Sequence, residues 1–320
     1  MRKIEVKEFG GPEVLEPAEG ADLRPGAGEV VVRVEAVDVL FVEAVIRYGL
    51  ATDHFSFTPP YVPGGGVSGR VERVGADVDR AWEGRRVCVR TDGGGYADQV
   101  AAPAQDLIPV PDGLGIREAA ALLHDGVTAL GVLDAARITE GERVLVTAAA
   151  GGMGILTVQR AVAAGAVVVG AARGGAKLRL IESFGAYAVD YSPPDWAERA
   201  VEALGGRPDV VLDGAGTSVG RAAFAVVADG GRFSAHGAPS GGFAEVDAAE
   251  AARRGITLRG IADVQFTPEE IRALVRRAFA EGAAGRLRPV IGQLLPLERA
   301  ADAHRALEAR ATVGKTLLLP

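Results

Sequence analysis

Residues 147–165 read TAAAGGMGILTVQRAVAAG, the end of an apolar strand that runs into glycines and then into an apolar-periodic helix. What such a turn can hold depends on its glycines. A dinucleotide fingerprint takes one glycine for the tight turn, a second so that the backbone can approach a pyrophosphate, and a third so that helix packs closely on strand. Here those positions are Ala149, Gly151 and Gly154, with Gly152 and Met153 between the last two. The first glycine is missing, so the pattern alone is a weak match. Its placement is right, because it follows RVLVT (143–147) and opens a helix whose first N–H groups can face a diphosphate.

Downstream, short apolar strands alternate with amphipathic helices. AVVVGAA (166–172) precedes AKLRLIESFG, YAVDY precedes PDWAERAVEALG, DVVLDGAG precedes SVGRAAFAVVADG, and GGRFSAHG leads through a loop to GITLRGIA (255–262). This is the rhythm of βαβ units, and it predicts an α/β fold: a doubly wound parallel sheet with helices on both faces. Upstream, EVVVRVEAVDVLFV (29–42), SGRVERVG (68–75), GRRVCVR (84–90) and GYADQVAAP (95–103) are β-branched runs broken by Gly and Pro, which predict a compact β-rich domain. Near residue 117 the period changes, and REAAALLHDGVTALGVLDAA reads as one helix. The C-terminal stretch is again strand, helix, strand, and can return to the first domain. The expected division is a discontinuous β-rich domain over 1–120 and 284–320 around a dinucleotide-binding domain over 121–283.

Composition narrows the function classes. The 320 residues are 48% hydrophobic and 24% charged, with a formal charge of −7. An acidic chain with no clustered basic run is a poor binder of nucleic acid, whose affinity comes largely from phosphate neutralisation. The longest weakly polar stretch, AVAAGAVVVGAA (161–172), is too short to span a bilayer. MRKIEVKEFG has no apolar h-region, and Cys88 is the sole cysteine, so no intrachain disulfide can form. By elimination, a cytoplasmic enzyme is expected.

The end of the second strand is where NAD-preferring sites place a carboxylate against the ribose 2′-hydroxyl. Residues 166–181, AVVVGAARGGAKLRLI, hold no Asp or Glu but do hold Arg173, Lys177 and Arg179. Missing repulsion together with available cations favours a 2′-phosphate, hence NADPH over NADH. Elsewhere the chain lacks the usual machinery. One cysteine excludes a four-cysteine zinc site, and His54, His124, His236 and His304 are never at metal-ligand spacing, so no metal is expected. The chemistry is then one that a nicotinamide performs with little assistance, on an acceptor that is already electrophilic.

Across nearly its whole length the chain resembles the zinc-independent quinone oxidoreductase (zeta-crystallin-like) branch of the medium-chain dehydrogenases/reductases. The segments that carry the resemblance are KEFGGPEVLE, VPGGGVSGRVERVGADV, GGGYADQV, LIPVPDGLGIREAAALLHDGVTAL, GERVLVTAAAGGMGILTVQRAVAAGA and ARATVGKTLLLP. The resemblance implies a Rossmann domain, a β-rich GroES-like substrate domain, NADPH, a small electrophilic substrate and a homodimer paired through the sheet edge at GITLRGIA. Its glycine loop carries alanine at the first position, as Ala149 does here, and Gly151, Gly152, Met153 and Gly154 would face the pyrophosphate. Thr128 would lie near the nicotinamide, and Lys177 and Tyr191 match contacts to the 2′-phosphate, with Arg173 our addition from the residues. His236 and Gly237 would border the nicotinamide, and Lys315 matches a contact in the tail.

Zinc-containing relatives would place three catalytic ligands at positions that here read Leu40, Gly65 and His124, and one histidine cannot hold a metal. His124 is thereby left as a candidate proton donor or substrate contact. Relatives also often have an Asn-x-x-Asp pair where this chain has Leu40 and Glu43, and a Tyr where it has Ala51. Tyr48, His54 and Tyr61 stand nearby as substitutes, and His54 and Tyr61 join His124 as catalytic candidates. Three functions follow: a reductase of quinones or α,β-unsaturated carbonyls, a pathway-specific enoyl or ketone reductase, and a non-catalytic NADPH-binding protein.

Overall fold

The computed structural model of the chain describes residues 1–50 and 56–320. They form two compact units, Met1–His124 with Val275–Pro320, and Asp125–Leu274. No single helix among the described residues is long and apolar enough to cross a membrane.

The first unit is built on a seven-stranded sheet in the order Ile291–Pro296, Lys315–Leu319, Glu29–Asp38, Gly66–Val74, Arg86–Arg90, Ile108–Pro109, with Gln99–Pro103 also paired to Glu29–Asp38. The long Glu29–Asp38 strand is the hub. Its β-branched residues alternate inward to join Val67, Val87 and Leu318 in one apolar core. It curves through two register shifts against Gly66–Val74, and a Cβ on Gly69 would stand only 2.0 Å from the Arg33 carbonyl oxygen. The last strand, Lys315–Leu319, pairs antiparallel with this hub, with Leu317 opposite Asp38.

The single helix expected over 117–136 is two helices, Ile116–Leu122 and Asp125–Ala136. The first closes because the Leu123 N–H reaches back only three residues, to the Ala120 carbonyl. The ring of the next residue, His124, is tied to Asp38. Apolar periodicity continues through both helices and could not reveal the break.

The second unit carries a six-stranded, all-parallel sheet in the order Tyr187–Asp190, Val167–Ala172, Arg143–Thr147, Val210–Asp213, Arg232–Ala235, Thr257–Gly260. Counting strands along this unit, the order is 3-2-1-4-5-6, that of the Rossmann fold. Its switch point lies at the Arg143–Thr147 strand, where ligands bind outside the carboxyl ends. The strands are buried on both faces, which is why they read as continuous apolar runs. Thr257–Gly260, within the GITLRGIA stretch, is the outer strand. The core gathers Leu145, Val169, Val211 and Phe233 under the helices that bring Trp196 and Phe224, the two phenylalanines meeting edge to face at 5.4 Å.

Each unit buries a histidine. Burial holds His236 down at about 4, and burial with the Arg47 charge holds His304 down at about 3, both from an ordinary 6.5. Both are neutral at pH 7. A base with a depressed folded pKa adds stability that is complete above its unfolded pKa and is lost as pH falls toward the folded one. Denaturant unfolding should therefore show stability declining below about pH 6.5. His236→Asn should shrink that decline by on the order of 2 kcal/mol by pH 4.5. An unchanged pH dependence in the variant would contradict the buried neutral state.

Candidate functional site

At the glycine turn of the second unit, Ala148 adopts φ 50°, and the Gly151 N–H folds back onto its carbonyl at 3.0 Å. The Gly152–Ala163 helix starts there with no side-chain cap. The amides of Gly152, Met153 and Gly154 occupy its first turn, where helix geometry leaves N–H groups without an intrahelical acceptor. A Cβ at Gly154 would lie 2.4 Å from the Ala148 oxygen and 2.9 Å from the Ala149 Cα, so only glycine allows this approach. Ala149, at the position of the missing first glycine, is fully buried. Room for its methyl comes from the neighbouring strand, where a Cβ on Gly170 would stand 3.0 Å from it.

Beneath the turn lies a clamp that sequence reasoning missed. The buried Asp213 carboxylate accepts from Thr147 Oγ1 at 2.5 Å and from the amides of Ala215 and Gly216, while Thr147 Oγ1 accepts from the amides of Gly214 and Ala215. It ties together the carboxyl ends of the two strands at the switch point. The only signal was a Thr and an Asp, each ending an apolar run.

Arg173, Lys177 and Tyr191 gather at one corner. Asp190 pairs in register with Ala172, and the Tyr191 N–H bonds to the Ala172 carbonyl at 3.2 Å, which sets Tyr191 beside Arg173. Lys177 follows in the first turn of the Gly175–Glu182 helix. The corner is not free of acid, however. Asp190 arrives from the next strand and accepts from Ser192 N at 2.8 Å and Gly174 N at 3.4 Å. Its pKa is held down by the Ser192 hydrogen bonds first, with help from Gly174 and Arg173. Thr128 sits in the first turn of Asp125–Ala136. The amides of His236 and Gly237 are both engaged by the Asp213 carbonyl. A Cβ on Gly237 would collide with the Gly214 backbone at 2.1 Å, so the two loops touch backbone to backbone.

The first unit holds a cavity of about 510 Å³ lined by, among others, Leu40, Glu43, Tyr61, Gly65, Arg90 and His124. His54 lies outside the described residues. Tyr48 is turned to the surface, its hydroxyl donating to Glu308 at 3.0 Å, and does not line the cavity. The Tyr61 hydroxyl is shielded from solvent and has no hydrogen-bond partner among the described residues. Burial pushes its pKa up to about 12, so it is a neutral donor at working pH.

His124 Nδ1 lies 2.8 Å from Asp38 Oδ2. Burial lowers its pKa more than Asp38 raises it. Lys315, expected as a cofactor contact, is buried with its ammonium 2.5 Å from Asp38 Oδ1, a charge contact off hydrogen-bond geometry. Its charge is thus balanced inside this unit. The positions of the zinc ligands in relatives do converge: a Cβ on Gly65 would stand 3.4 Å from Leu40 Cδ1 and 3.9 Å from His124 Nε2. Two of these three side chains offer no ligand atom, and no group of three or more His, Cys, Asp or Glu among the described residues is arranged for a metal.

Glu43, Arg47, Tyr96 and His304 form a buried chain that sequence reasoning did not assemble. Glu43 accepts from Leu40 N, Gly65 N and the Tyr96 hydroxyl, which also meets His304 Nε2 at 2.8 Å. Arg47 closes the other end on His304 Nδ1 and Glu308. The signal that could have found it is a charged pair, Glu43 and Arg47, one helical turn apart in the otherwise apolar FVEAVIR.

Comparison with known proteins agrees with this architecture. Residues 26–112 match the alcohol dehydrogenase GroES-like domain family, and residues 184–318 match the zinc-binding dehydrogenase family. A quinone oxidoreductase of Pseudomonas aeruginosa is 33% identical, with 100% of this chain and 99% of that protein covered. Among solved structures, a mycobacterial protein complexed with NADPH superposes with a TM-score of 0.89 at 33% identity, covering 100% of both chains. The Escherichia coli quinone oxidoreductase complexed with NADPH gives 0.88 at 28% identity, again over 100% of both. The chain therefore belongs to the quinone oxidoreductase family of the medium-chain dehydrogenases/reductases.

Proposed function

We propose that this protein is an NADPH-dependent reductase of quinones or α,β-unsaturated carbonyls that works without zinc. The observation that carries the reading is the uncapped helix start at Gly152–Gly154, where glycine alone permits the turn to close. Its amides would hold the pyrophosphate. Arg173, Lys177 and Tyr191 would hold the 2′-phosphate, while the Asp190 carboxylate at the same corner is occupied by two backbone N–H groups. Thr128 and the 236–237 backbone would border the nicotinamide, which when bound supplies a hydride to the acceptor.

The protein's own part is orientation and exclusion of water. In the cavity of the first unit, the Tyr61 hydroxyl, without a hydrogen-bond partner among the described residues, is a donor for the acceptor's carbonyl oxygen, and it strengthens as that oxygen gains charge. His124, neutral and tied through Nδ1 to Asp38, presents its ring to the same cavity as a contact rather than as the acid at neutral pH. His54 is retained as a candidate on sequence grounds only.

NADPH oxidation should be measurable with simple quinones or enones, unaffected by chelators and slower with NADH; a metal-dependent rate or an NADH preference would defeat the reading. Tyr61→Phe should lower kcat by about 10- to 100-fold with the KM for NADPH unchanged, the loss expected for one donor to a developing charge. Replacing both Arg173 and Lys177 by Ala should raise the KM for NADPH about tenfold or more and leave that for NADH nearly constant, since each cation–phosphate hydrogen bond is charge-assisted. Equal effects on both nucleotides would remove these residues from the 2′-phosphate.

A further inference from the structure

The hydrogen bonds behind Glu43 have a fixed direction. An arginine side chain can only donate. Arg47 gives Nε–H to the Gly10 carbonyl at 3.0 Å, Nη2–H to Glu308 at 2.7 Å and Nη1–H to His304 Nδ1 at 2.8 Å. His304 Nδ1 is therefore an acceptor, and the neutral ring carries its proton on Nε2. That N–H donates to the Tyr96 oxygen at 2.8 Å, so the single Tyr96 hydrogen turns to Glu43 Oε2, 2.7 Å away. Oε2 also accepts from Leu40 N at 2.9 Å, and both its lone pairs are filled. Among the described residues, Oε1 accepts only from Gly65 N, at 2.9 Å. A proton on Glu43 consequently has one place to sit, the remaining lone pair of Oε1, on a residue that lines the cavity beside Gly65.

We propose that Glu43 is the acid of the pocket, delivering a proton from Oε1 to the oxygen of the reduced acceptor, with Arg47, His304 and Tyr96 as positioning residues that decide which oxygen carries it. The proposal rests on the reductase reading above. The acceptor gains two electrons with the hydride and is left as an oxyanion. The Oε1–H bond then breaks with its electron pair staying on Oε1, an O–H bond forms on the acceptor, and the Glu43 carboxylate regains a proton from solvent.

The electrostatics fit this role. Burial pushes Glu43 up to about 7, opposed by its three hydrogen-bond donors and helped by Asp38. Lining the same cavity are Tyr61, Arg90, Asp92 and His124. Behind it lie Tyr96, His304 and Arg47 with Glu308, and Asp38 with Lys315.

The test labels glutamate side-chain carboxyls with carbon-13 and follows them by NMR against pH in the nucleotide-free protein, with Glu43→Gln assigning the signal. Glu43 should titrate near pH 7. Tyr96→Phe should move its midpoint up by about one unit, because the ionised form loses one of its donors. In turnover with enones, Glu43→Gln should lower kcat by about 100-fold or more and abolish the fall in rate above neutral pH, with Glu43→Asp recovering part of both and the KM for NADPH unmoved. A Glu43 that stays ionised at pH 5.5, a midpoint insensitive to Tyr96→Phe, or wild-type kcat in Glu43→Gln would each overturn the proposal. If the wild-type protein reduced no quinone or enone, the reductase reading and the proton delivery would fall together. The titration would then still report the direction of the hydrogen bonds, so the two failures are distinguishable.

Discussion

Arg47 is a cation with no exposed surface, and the first unit is arranged around satisfying it. Its donors reach Gly10 near the chain's start and His304 and Glu308 near its end, so one guanidinium stitches the discontinuous unit together across 257 residues of sequence to His304. Removing a partner from such a group leaves a buried charge uncompensated, a loss of about 3–5 kcal/mol. The same requirement orders the chemistry. Because a guanidinium cannot accept, every hydrogen bond downstream of it, through His304 and Tyr96, must point toward Glu43.

A second buried charge follows the same logic. Asp38 is fully enclosed, and His124 on one oxygen and Lys315 on the other make that burial tolerable. Lys315 opens the strand that pairs with the Glu29–Asp38 hub, so matching this charge and completing the sheet are one event. His124 is held by the carboxylate in a single orientation at the cavity wall. The two networks meet where Gly65, lacking a side chain, leaves space between Glu43, Leu40 and His124.

In the second unit the governing constraint is steric. Backbone must pass within van der Waals contact of backbone at Gly154 and Ala148, and again at Gly237 and Gly214, and no Cβ fits at either glycine. Where the fingerprint has Ala149 instead of glycine, the strand alongside yields the volume through Gly170. A deviation from a motif in sequence is thus absorbed by a neighbour that the motif does not include. The Thr147–Asp213 clamp then holds the strand ends at the switch point in register.

The residue order by itself determined the six strands of the second unit, their alternation with helices and the glycine turn, because period, strand length and turn chemistry are local properties of consecutive residues. The family resemblance named the GITLRGIA stretch as a sheet edge, where Thr257–Gly260 is the outer strand, and brought forward Tyr61 and His124, which line one cavity. Local reading ran out where partners are distant. The acid-free window at 166–181 held along the chain but not in space, where Asp190 enters from the next strand. The helix break before Asp125 coincides with His124 turning to Asp38, 86 residues away. Glu43 looked like a departure from a family pattern until tertiary structure set Tyr96 and His304 behind it. Which oxygen of Glu43 can hold a proton depends on a chain of donors and acceptors drawn from four separate segments, and only folding makes them neighbours.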